Sequence, residues 1–109
     1  MTVADGLRET VLDLGLEDLI PLPELMQTVV ERFDDYHSAV RAVAQVLGEL
    51  VADDRVRIYR GPWQDPDPPR ITAADALELL RDEKWYRFRI DEPDEERLQY
   101  INVANLREP

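Results

Sequence analysis

Two apolar stripes of helical period, one after the other, give way to a segment of period two. This change of period constrains the chain more than any other feature. Leu25, Met26, Val29, Val30 and Phe33 recur as on a helix packed along one side. Asp34-Asp35 interrupts the pattern. Val40, Val43, Ala44, Leu47, Leu50 and Val51 form the second stripe, on a helix from about Tyr36 to Ala52. Asp53-Asp54 ends it, and Val56-Arg57-Ile58-Tyr59-Arg60 alternates as a half-buried strand does. Helices that deliver the chain straight into a strand make this an α+β sequence.

The remaining elements fit around that centre. Val3, Leu7, Val11 and Leu14 share one helical face, and the helix is expected to end near Gly15. In Leu19-Ile20-Pro21-Leu22-Pro23 the prolines forbid a continuous helix. A short extended piece is expected there, with Pro23 in the first position of the next helix. Gly61-Pro62 closes the strand, and Pro62 to Pro69, with four prolines and two aspartates, reads as a surface loop of polyproline character. Thr72 and Asp75 form a variant capping box, with Ile71 and Ala76 where a hydrophobic staple would sit. A helix from about Ala73 to Asp82 follows. Tyr86, Phe88 and Ile90 alternate with Arg87 and Arg89, and Leu98 to Val103 can pair back across Asp91–Glu96. A terminal hairpin is therefore expected. A length of 109 residues is that of one domain, residues 1–109.

The order helix, extended piece, helix, helix, strand resembles a winged-helix domain over residues 3–60. In that fold three helices precede a small antiparallel sheet. The third helix runs directly into a strand, as Leu47-Gly-Glu-Leu-Val-Ala-Asp-Asp-Arg-Val-Arg-Ile-Tyr-Arg60 does here. The expected fold is thus a winged-helix-like, three-helix N-terminal half, then a small antiparallel sheet with one inserted helix. The resemblance implies a DNA-binding transcription regulator whose third helix enters the major groove. A simple wing joins its strands directly. Here a proline loop and a helix intervene.

Charge contradicts that implication. The formal net charge is −11, and residues 1–54 hold 12 acidic and 3 basic side chains. The acidity is therefore concentrated where a winged helix would meet DNA, whose phosphates require cations. The polar face of the third helix offers His37, Ser38, Arg41, Gln45 and Glu49, with Arg41 its one permanent cation. Asp34 and Asp35 stand at its N-terminus, where they stabilise the helix dipole and repel a phosphate. Arg55, Arg57, Arg60, Arg87 and Arg89 are expected on an outer sheet face, paired with nearby acids. Arginine outnumbers lysine 12 to 1. Combined with the many carboxylates, that bias also fits a high-salt cytoplasm, in which charge serves solubility.

Several chemistries lack their residues. The chain has no Cys, one His and one Ser, Ser38. Thiolate sites are excluded, a zinc site is short of ligands, and no Ser–His triad is spelled out. Asp91–Glu96 holds five carboxylates in six positions but has no EF-hand spacing. No catalytic residue, metal or cofactor is expected, and no enzymatic activity. No stretch approaches the roughly 18 apolar residues of a membrane span. Asp5 and Glu9 stand where an export signal would carry positive charge, so a cytoplasmic location is expected.

A non-enzymatic acidic interaction domain with a basic protein partner remains. In size, acidity and lack of catalytic residues the chain is similar to immunity proteins of contact-dependent growth inhibition systems, which implies a basic toxin as partner. A DNA-mimicking acidic inhibitor is a further alternative to the transcription regulator. The candidate contact residues are Asp34, Asp35, Tyr36, Arg41, Trp63, Asp65 and Asp67. Trp63, in the proline loop, suits either an interface anchor or a pin that holds the loop to the core.

Overall fold

The computed structural model describes residues 3–17, 19–62, 68–87 and 96–106. Within them the chain is α+β: α1 (Val3–Glu17), β1 (Ile20–Pro21), α2 (Leu22–Val29), α3 (Tyr36–Ala52), β2 (Val56–Pro62), α4 (Ala73–Leu79), β3 (Glu96–Asn102) and α5 (Val103–Leu106). Short 3-10 turns follow α2, at Val30–Arg32, and α4, at Glu83–Tyr86. Three helices precede most of the antiparallel sheet, and α4 is inserted between its two long strands, the layout expected from the sequence.

Most of each stripe is a buried face, with Val30, Phe33 and Ala44 half-buried. Helix α2 ends at Val29 instead of running on to Asp34, and its expected last residues form the 3-10 turn. Leu22, Pro23, Leu25, Met26 and Val29 are buried on α2. On α3 the buried set is Ala39, Val40, Val43, Val46, Leu47, Leu50 and Val51. With Leu7 and Val11 of α1 they join one core, which also takes Val56, Ile58, Leu98 and Tyr100 from the sheet. Helix α3 starts at Tyr36 because Asp35 caps it, and it ends at Ala52 before Asp54 turns the chain at a positive φ of 57°. Aspartate tolerates that left-handed conformation better than most residues.

The sheet order is β1-β3-β2, all antiparallel. Strand β3 pairs with β2 from Val56↔Asn102 to Pro62↔Glu96, and with β1 at Ile20↔Tyr100 and Pro21↔Gln99. The far edge of β2 is covered by residues 69–71: Arg60 N–H donates to Pro69 C=O (3.1 Å) and Ile71 N–H to Ile58 C=O (3.0 Å). Covering an edge in this way removes a site for pairing with another chain.

Several expectations are corrected. Gly15 does not end α1, which runs on to Glu17. It lies where α1 crosses β3, and a Cβ there would come within 2.7 Å of the Asn102 backbone nitrogen. Tyr100 and Asn102 bind the same helix, donating to the carbonyls of Val11 (2.8 Å) and Leu12 (3.1 Å). Leu22, not Pro23, opens α2, and Pro23 takes the second position. That position also lacks an intrahelical N–H partner, so proline costs nothing there. Helix α4 stops at Leu79, short of Asp82.

The first strand and the loop of the expected terminal hairpin fall largely outside the described residues. Strand β3 is central and has β2 and β1 as neighbours, while Tyr86 belongs to a 3-10 turn. Phe88, Arg89, Ile90 and residues 91–95 of the acidic loop lie outside the described residues. Val103, expected in the strand, begins α5, where the Asn102 carboxamide accepts the Ala104 N–H (2.9 Å).

Candidate functional site

Asp35 has an extended backbone, as an N-cap requires, and its carboxylate accepts both the N–H (2.8 Å) and the hydroxyl (3.0 Å) of Ser38. The Ser38 backbone N–H, and next its hydroxyl, hold this carboxyl below the usual range, because both stabilise the charged form. Asp34 and Asp35 are exposed. Tyr36 follows, half-buried, and its hydroxyl donates to the Tyr86 carbonyl fifty residues away. Burial raises the Tyr36 phenol pKa, an effect that the nearby Arg87 opposes.

The 3-10 turn brings two charged side chains to the same place. Arg87 Nη2 donates to Glu83 Oε1 (2.9 Å), and the guanidinium carbon lies 5.5 Å from the centre of the Tyr36 ring. The other oxygen of Glu83 is 3.5 Å from His37 Nδ1. The hydrogen bond from Arg87 lowers the pKa of Glu83, and the same bond raises that of Arg87. Beside Tyr36 and Arg87 opens a groove of about 420 Å³, lined also by Pro23, Met26, Gln27 and Val30. One side of α2, the start of α3 and the 3-10 turn after α4 thus build one surface. It has an apolar floor, an aromatic face and an arginine, Arg87, that is paired with the Glu83 carboxylate.

The expected candidates are distributed unevenly around it. Tyr36 lines the groove, and Asp34 and Asp35 precede it directly in the chain. Arg41 is exposed further along α3. Trp63, Asp65 and Asp67 lie outside the described residues. The structure adds Glu83, Arg87, Met26 and Val30. Glu83 and Arg87 are four residues apart, a spacing that favours ion pairs on helices and was a usable signal. Its position opposite Tyr36 depends on the fold.

The expected common face of arginines is divided. Arg57 and Tyr59 alternate with the buried Val56 and Ile58, so they occupy the outer side of β2. Arg60 has the parity of Val56 and Ile58, and its guanidinium stacks 5.1 Å over the buried Trp85. Arg87 pairs with Glu83. On the exposed side of α3, Arg8 of α1 reaches Glu49 (3.7 Å) and Asp53 (3.5 Å), which neutralises one of the few cations of the first half.

Among the described residues no group of three or more His, Asp or Glu side chains could hold a metal ion. No described helix is long and apolar enough to cross a membrane. No protein-family model matches the chain, and no curated protein or solved structure shows significant similarity to it.

Proposed function

We propose that the chain is a non-enzymatic acidic interaction domain that binds a basic protein, with the start of α3 as its contact face. The observation that carries this reading is the exposed pair Asp34 and Asp35 directly before Tyr36, which lines an open groove with an apolar floor. Interfaces combine such an apolar centre with a charged rim, and complementary charge speeds encounter and rejects wrong partners. The most concrete version is a cytoplasmic immunity protein that covers the cationic active site of a nuclease toxin. The net charge of −11, gathered mainly in the first half, suits that partner.

A winged-helix DNA-binding regulator is the second reading. It is favoured by one observation: α3 runs into β2 within a three-helix, antiparallel-sheet layout. Charge opposes it, because the exposed side of α3 presents Arg41 among His37, Gln45 and an Arg8-paired Glu49.

Affinity capture from the native host, followed by association kinetics with the captured basic protein, tests the first reading. Asp34→Arg is expected to slow association roughly tenfold or more at low salt, with the difference shrinking as salt rises. Equal rates for both proteins would remove this face from the interface. Duplex DNA is expected not to bind at low ionic strength; a shift that weakens steeply with salt would favour the regulator instead.

A further inference from the structure

We propose that the Tyr36 ring and the Glu83 carboxylate form a guanidinium-binding site, filled here by the chain's own Arg87, and that an arginine of a basic partner segment exchanges with it. This inference rests on the reading of the partner as basic.

The two groups supply what a guanidinium needs. The ring offers a π-face 5.5 Å from the Arg87 carbon, and Glu83 accepts a hydrogen bond of 2.9 Å in the same site. An ammonium matches such a stacked, hydrogen-bonded site less well, so the site discriminates arginine from lysine. The receptor side is anchored. The Tyr36 hydroxyl donates to the Tyr86 carbonyl, and Tyr86 is itself buried and donates to Leu80 C=O (2.6 Å). Glu83 is a first-turn residue of a 3-10 turn capped by Asp82, which accepts the Lys84 N–H (3.1 Å).

The occupant is held loosely. The Arg87 side chain is 59% exposed against 32% for Glu83, so the arginine lies outermost in the pair. An exposed ion pair of this kind contributes little to stability, and an incoming arginine replaces it at small cost. The groove continues from the site over Met26 and Val30. Methionine adapts to varied apolar shapes, so the floor accepts a large aliphatic side chain next to the arginine. The fitting partner segment therefore carries an arginine one or two positions from a leucine-sized residue. Asp34 and Asp35 attract its remaining positive charge.

Amide chemical-shift titration with acetyl-Leu-Ala-Arg-Arg-Leu-amide tests this, with the lysine version as comparison. The expected result is that Arg87→Ala binds the arginine peptide at least threefold more tightly than the parent chain, with shifts centred on Tyr36, Glu83 and Met26. Adding Glu83→Gln to Arg87→Ala should abolish the gain, and the lysine peptide should show little of it. Arg55→Ala makes the same charge change at the opposite end of α3 and should give no gain. Arg87→Gln serves as a second variant, and unchanged thermal unfolding confirms that both are folded. Equal or weaker binding by Arg87→Ala and Arg87→Gln would overturn the proposal. So would a gain matched by Arg55→Ala, or shifts away from Tyr36. These outcomes are separate from the Asp34→Arg kinetics, which concern the whole partner and do not require the exchange.

Discussion

Asp35 has two separable roles, as the cap of α3 and as an exposed negative charge directly before the groove-lining Tyr36. Its carboxylate satisfies the Ser38 N–H, one of the donors that every helix N-terminus leaves without an intrahelical partner. That bond depresses the folded-state pKa, so its stabilisation is complete above the unfolded-state value and is lost as pH falls through the folded one. Asparagine caps nearly as well but carries no charge. Asp35→Asn should therefore be less stable than the parent chain at pH 7. The gap should close as pH falls below the ordinary aspartate range, as followed by urea unfolding. A gap that persists at low pH would assign the effect to shape instead of charge. Asp34→Arg keeps the cap and changes the charge, so the partner experiment reads electrostatics alone.

At the scale of elements, two glycines inside helices face opposite situations. Gly15 lets α1 lie directly on β3, and an added Cβ would meet the Asn102 nitrogen at 2.7 Å and the Tyr100 ring at 3.0 Å. Backbone cannot yield as a side chain tip can, so Gly15→Ala should cost about 1–3 kcal/mol by forcing the helix off the sheet. Gly48 lies within α3, where the nearest neighbour of an added Cβ is Leu77 Cδ2 of α4 at 3.6 Å, an ordinary contact. Gly48→Ala should therefore stabilise by about 0.5–1 kcal/mol through reduced backbone freedom in the unfolded chain. Denaturant midpoints of the two variants, moving in opposite directions, check both claims. In sequence Gly15 reads as a helix end and Gly48 as a glycine within an amphipathic segment, and neither reading tells what packs against it. Only the packing partner assigns the sign.

Across the whole molecule, three tyrosine hydroxyls tie elements together, two of them across fifty residues or more. Tyr100 joins β3 to α1, Tyr86 joins the 3-10 turn to α4, and Tyr36 joins α3 to that turn. Burial raises the pKa of all three phenols, because each hydroxyl would have to ionise away from water. An acid with a raised folded-state pKa gives stability that is present below the unfolded value and lost as pH rises through the folded one. Tyrosinate absorbance should therefore rise together with loss of helical circular dichroism, above about pH 10. Absorbance that rises fully while the helices persist would contradict this. Tyr100→Phe should lower stability by about 1 kcal/mol near neutral pH, from the lost bond to Val11.

The amino-acid order by itself determined which helix faces are buried, because helical period is a local property and apolar surface must leave water. It also determined the span of α3, from its aspartate cap to the aspartates beyond Ala52, and the acidity of the first half. It identified the Thr72 cap, whose hydroxyl accepts the Asp75 N–H at 3.2 Å. Only the tertiary structure decided that β3 is the central strand. Arg97-Leu-Gln-Tyr-Ile-Asn102 looks half polar, yet Gln99 is buried because both of its strand neighbours are present. The candidate site has the same origin. Asp34, Asp35 and Tyr36 were legible from their place at a helix start. Glu83 and Arg87 come from a turn about fifty residues later, and no local pattern encodes their meeting with Tyr36. Periodicity and capping act within a few residues, whereas strand pairing and side-chain convergence depend on how the whole chain closes on one core.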